Sequence, residues 1–148
     1  MKKICFSLIV FILTNTVWAQ DTTVVSNDTK DETVSIAIVE DIPVFPGCEE
    51  IEKKESINCF QNKLSEHIAK NFKYPPKATL QKIEGKVIVQ FTINYEGKVT
   101  NIKTRIGDPI LQTEALRIIK LLPLMKPALY KGKPIGVNYV VPINFKLK

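Results

Sequence analysis

The end of the chain sets the tightest constraint. From Gly136 to Leu147 an apolar side chain stands at every second position: Val137, Tyr139, Val141, Ile143, Phe145 and Leu147 share one face. That period is the pattern of a β-strand with one buried side. Pro142 lies inside the same run, on the other face. Proline cannot donate to a ladder, so a strand containing it belongs at the edge of a sheet.

The partners of that strand are legible upstream. In Gly85–Ile93, residues Val87, Val89, Phe91 and Ile93 face one way and Ile88, Gln90 and Thr92 the other. Asn94-Tyr95-Glu96-Gly97 reads as a tight turn with Gly97 at positive φ. Lys98 to Ile106 reads as the returning strand.

Two helices are expected. The first spans Cys59–Lys73, with Phe60, Leu64, Ile68 and Phe72 forming one apolar stripe. Asn58 and Gln61 resemble a capping box, and Tyr74-Pro75-Pro76 stops the helix, because a residue before proline avoids the helical region. In the second, Asp108 caps and Pro109 takes the first position, where its missing N–H costs nothing. Leu111, Ala115, Ile118, Ile119 and Leu122 form its stripe, and Pro123 closes it. Met125 to Pro134 reads as a basic loop.

The last strand follows a helix and can lie antiparallel only beside the first strand. The expected fold is therefore α+β and two-layered. A three-stranded antiparallel sheet in the order 2-1-3 carries two helices on one face, with the last strand outermost.

The ends divide the chain. Residues 1–19 read as a signal peptide: Lys2 and Lys3, the apolar run Ile4–Leu13, then Val17-Trp18-Ala19 as a cleavage site. The run is about ten residues, against the roughly twenty a membrane span needs. An uncleaved inner-membrane anchor is the rival reading. Residues 20–42 read as a polar tail with a short β-branched strand at Thr33–Val39, and 43–148 as the domain. Losing Lys2 and Lys3 lowers the formal net charge from +6 to +4, and an exported protein of that charge seldom meets nucleic acid.

Cys48 and Cys59 are an even pair in an exported chain, which points to a disulfide. A zinc site using His67 lacks a fourth ligand at sensible spacing, so no metal or other cofactor is expected. His67, beside the helix stripe, reads as a packing residue. With one histidine and no Gly-x-Ser-x-Gly turn, the sequence offers no nucleophile and base, and neither an enzyme nor a small-molecule substrate is expected.

The chain resembles the C-terminal domain of TonB-type energy transducers, in the stand-alone exported form found among Bacteroidetes-like bacteria. The resemblance runs from about Pro43 to Leu147. It rests on the order and spacing of Phe45-Pro46-Gly47, Asn71 with Tyr74-Pro75 and Ala78, Gly85-Lys86-Val87 with Gln90-Phe91, Gly97-Lys98-Val99, Glu114-Ala115 with Arg117, Leu122-Pro123 with Met125-Lys126-Pro127, Gly132-Lys133-Pro134, and Val141-Pro142-Ile143 with Phe145.

The resemblance implies a periplasmic domain that takes up the TonB box, a short extended segment of an outer-membrane transporter, as an added strand beside its last strand. Carried over by position, the partner contacts are Val137, Asn138, Tyr139, Val140 and Val141, with Tyr74 and Pro75 helping to hold the segment. Backbone hydrogen bonds then give affinity and alternate side chains tune register. The chain departs from a full transducer in its linker. About two dozen residues precede Pro43 after the leader, a reach of roughly 80 Å, and they are not Pro-rich. The alternative function is a structural or adaptor domain, in which the same edge pairs two copies into a homodimer or contacts the cell envelope.

Overall fold

The computed structural model describes residues 33–36 and 39–148; the expected signal peptide lies outside the described residues, as does most of the polar tail. The centre of the fold is an antiparallel hairpin, β2 (Gly85–Ile93) and β3 (Val99–Ile106), joined to the long strand β5 (Lys133–Phe145) on the far side of β2. The alternation in β2 sets its burial. Val87, Val89, Phe91 and Ile93 are fully buried under the helices.

Helix α1 (Ser56–Asn71) and helix α3 (Pro109–Lys120) cover this face. Asp108 caps α3 as expected, its carboxylate accepting from the Ile110 N–H at 2.8 Å. Leu111, Ala115, Ile118 and Ile119 are buried and Leu122 is half-buried. His67 ties the two helices together, its Nε2 lying 3.0 Å from the Ile118 carbonyl oxygen. It is a packing residue.

The turn between β2 and β3 fits its chemistry closely. Asn94 Oδ1 accepts from the N–H groups of Glu96 and Lys98 at 3.0 and 2.9 Å. Gly97 has φ +80°, and a Cβ there would lie 1.7 Å from the Met125 carbonyl oxygen. The Met125 N–H in turn donates to the Gly97 carbonyl at 3.0 Å, so the turn is clamped to the chain leaving α3.

The expected three strands and two helices need correction. The order 2-1-3 holds for the central strands, β3-β2-β5, but two further elements are added, and the short strand expected in the tail joins the sheet. Helix α2 (Pro76–Leu80) starts at the second proline, because proline suits the first helical position even where it has just ended the previous helix. Strand β4 (Ala128–Tyr130) pairs antiparallel with Lys133–Ile135 through Lys131 and Gly132, both at positive φ as a two-residue hairpin turn requires. Strand β1 (Thr33–Ser35) pairs parallel with Gly136–Asn138. The last strand is therefore not outermost along its whole length.

Helix α1 also begins earlier than its expected cap. A 3-10 turn at Lys53–Glu55 runs straight into it, and no side chain caps its start. Asn58 instead turns its amide to the Glu55 carboxylate at 3.2 Å. The helix ends at Asn71, with Phe72 extended ahead of Tyr74-Pro75. Cys48 and Cys59 are joined as a disulfide, which ties the Phe45-Pro46-Gly47 turn to α1.

Candidate functional site

The outer edge of β5 is where chemistry for a partner collects. On its inner side, Val137–Phe145 pairs with β2 without a break in register. Val137 and Asn138 also pair with Val34 and Ser35 of β1, so β1 must lie on the opposite, outer side. Beyond Asn138, among the described residues, no strand pairs with the outer side of Tyr139–Phe145.

Pro142 tells which way the edge groups point. It faces Ile88 across the ladder. Lacking an N–H, it fits only where its nitrogen turns away from β2, so this is a non-hydrogen-bonded pair. Alternate residues share that aim. Val140 and Asn144 therefore turn their backbone groups outward, while Val141 and Ile143 bond to β2.

The side chains divide between two faces. Val137 and Val141 are buried, and Tyr139 is wedged between Phe60 and Phe91 with ring centroids 5.1 and 5.6 Å away. Burial raises the Tyr139 phenol pKa, against a hydrogen bond with Gln61 that lowers it. These three anchor the strand from beneath and leave only backbone for a docked segment. Asn138 and Val140 sit on the open face. Val140 is 54% exposed. Asn138 accepts from the Thr92 hydroxyl at 2.8 Å and donates to Thr33 Oγ1 at 3.2 Å.

Tyr74 and Pro75 lie at the other end of the strand. The Tyr74 ring meets Phe145 edge-on at 6.0 Å, and Phe72 stacks on the same Phe145 at 5.0 Å. The Tyr74 hydroxyl donates to the Ile83 carbonyl at 2.6 Å, fixing the ring. Burial raises its pKa, with the charge of Glu84 adding to the rise. Pro75 is extended and leads into α2. The expected residues thus fall at two stations along β5: the strand itself at Val137–Val141, and the Tyr74 ring packed against the buried Phe145 side chain near its end, with Pro75 next to it in sequence. Phe145 and Asn144 were not among the expected partner contacts; the parity of Pro142 was the signal that points to Asn144.

Beneath this corner a polar junction holds the end of α1. The buried Glu114 carboxylate accepts from Arg117 at 2.6 and 2.7 Å and from the Lys73 N–H at 3.0 Å, while Arg117 also donates to the Asn71 carbonyl. The hydrogen bond to Glu114 raises the Arg117 pKa further and keeps it charged. Among the described residues no group of histidine, cysteine, aspartate and glutamate is placed to hold a metal, and no helix is long and apolar enough to cross a membrane.

A sequence profile of the family described as Gram-negative bacterial TonB protein C-terminal matches residues 70–147. The chain belongs to the TonB C-terminal family. It is 37% identical over 94 residues to Protein TonB from two strains of Helicobacter pylori. That stretch is 62% of this chain, but the match spans only 32% and 31% of those relatives' length. The solution NMR structure of the Helicobacter pylori TonB C-terminal domain superposes with a TM-score of 0.50 at 32% identity, covering 68% of this chain and 87% of that one. The TonB match takes in both stations along β5, since residues 70–147 run from the end of α1 through the last strand.

Proposed function

We propose that this protein is a peptide-binding domain of the cell envelope that docks on the TonB box of outer-membrane transporters by strand addition, supporting energy-coupled transport. In this reading it is exported to the periplasm, is held at the inner membrane if its leader is not removed, comprises residues 43–148 as its folded domain, and catalyses no reaction. The observation that carries the reading is the outer edge of β5 from Tyr139 to Phe145, unpaired among the described residues. An extended segment laid there gains backbone bonds at Val140 and Asn144, while the core beneath stays closed.

Titration with TonB-box-like peptides from the same organism's transporters, read by calorimetry and NMR shifts, tests this. Val140→Pro removes one outward N–H and should weaken binding about three- to tenfold, the range of one hydrogen bond. Val140→Thr keeps the donor on an exposed position and should bind nearly as the parent does. Shifts mapping to β3 would place docking on the wrong edge. If no peptide binds at millimolar levels, the self-association or adaptor reading takes its place.

A further inference from the structure

We propose that β1 is a built-in competitor for the docking edge: the chain's own Thr33–Ser35 closes one end of it, and an incoming strand must displace that segment to use the full length of β5. The proposal rests on the docking reading above and names its regulation.

The overlap is direct. β1 takes Gly136, Val137 and Asn138 in register with Thr33, Val34 and Ser35. Val137 and Asn138 are two of the five last-strand positions expected to receive a partner. The segment approaches as a parallel strand on the outer side, so it offers the edge what a docked peptide would offer, a run of backbone donors and acceptors. One side-chain bond, Asn138 to Thr33 Oγ1, adds to it.

Its hold is of the kind that can be exchanged. Three residues of parallel pairing give few ladder bonds, and parallel pairs are slightly weaker per residue than antiparallel ones. Thr33 is exposed. The chain is then fastened just downstream: the Glu40 N–H donates to the Leu129 carbonyl at 3.0 Å, and Val44 and Lys126 exchange bonds of 3.0 Å each way. Ser35 is thus only a few residues from a fixed point. A leash that short keeps the displaced strand at an effective concentration on the order of millimolar, so it rebinds without a partner's concentration entering. A peptide that reaches Val137 and Asn138 meets that end of the edge closed, and its apparent affinity there falls by the fraction of molecules that are open.

The experiment compares the full chain with the double variant Val34→Pro/Ser35→Pro. Neighbouring strand residues turn their N–H groups to opposite sides, so the pair removes at least one β1 donor that faces β5 in either parity. Both forms are titrated with the same TonB-box-like peptide, and the amide signals of residues 33–35 and 136–140 are followed. The expected result is about fivefold tighter binding by the double variant, with the Thr33–Ser35 signals of the parent moving to unpaired positions as peptide saturates it. Peptide bound only by the variant would support the proposal most strongly. Equal affinity in the two forms, with the β1 signals of the parent unmoved at saturation, would overturn it and leave the docking reading standing. No binding by either form would overturn both.

Discussion

The disulfide gives a prediction whose size follows from the chain itself. Cys48 and Cys59 stand 11 positions apart in the chain. In the chain-entropy account, closing a loop of that length costs the unfolded state about 9 cal/mol/K, or about 2.8 kcal/mol at 25 °C. The folded state should contribute little of its own. Glu49–Glu55 is exposed, and Phe60, which anchors the far end of the loop, is held by Phe45 and Tyr139 whether or not the sulfurs are joined. Cys48→Ala/Cys59→Ala, which puts no hydroxyl at the buried Cys48, should therefore keep the native spectrum and lose about 2.8 kcal/mol. Urea titration followed by circular dichroism should show the midpoint falling by roughly 1–3 M, taking m of about 1–3 kcal/mol/M. Reducing the parent should give the same shift. A loss under about 1 kcal/mol with an unchanged native spectrum would refute the argument, since it would mean that the loop stays ordered in the unfolded chain.

Three further outcomes follow from the packing. Phe91→Ala empties a fully buried site under Tyr139 and should cost about 3–5 kcal/mol by denaturant titration; a loss under about 1 kcal/mol would mean that the site collapses freely. Gly97→Ala combines a positive φ with a clash against the Met125 carbonyl and should cost at least about 2 kcal/mol, a reasoning that fails if its melting curve overlays the parent's. Tyr74 and Tyr139 have phenol pKa values raised above the ordinary 10.0. Unfolded phenols ionise first, so their contribution to stability is whole below about pH 10 and is lost as pH climbs through the folded values. Chemical denaturation at stepped alkaline pH should show that decline, and stability that rises there would contradict it.

Much of the fold was legible because it is built from local signals. The β2 alternation, the Asn94–Gly97 turn and the Asp108-Pro109 start of α3 are each decided by neighbours in sequence, and each stands where the residues put it. The pair Cys48 and Cys59 was legible from compartment and parity alone. β4 was not, because three residues give no period and their partner, Lys133–Ile135, is recognised only once Lys131-Gly132 is seen as a turn. α2 was hidden by reading Pro75-Pro76 only as a stop. The site shows the same division. Pro142 announces an edge locally, but which segment lies against that edge is a long-range fact. Thr33–Val39 could be read as a short strand, yet nothing in its own residues says that it pairs parallel with Gly136–Asn138.

The linkage between the arm and the cystine has a mechanical side. A pull on the chain just ahead of Thr33 loads β1, then the paired backbone at Asp41–Leu129 and Val44–Lys126. Next in line are Phe45, which packs on Phe60 in the core, and then Cys48. While the bond to Cys59 is intact, the ten residues between the two cysteines, about 37 Å of contour from Cys48 to Cys59, cannot unspool. Tension passes across the sulfurs to α1 and so to Phe60 in the core. In the reduced protein the same pull, once Phe45 has been drawn from its place, takes up that slack before it reaches α1. Two sulfur atoms thus set whether the domain answers a tug as a stiff handle or as a loose cord.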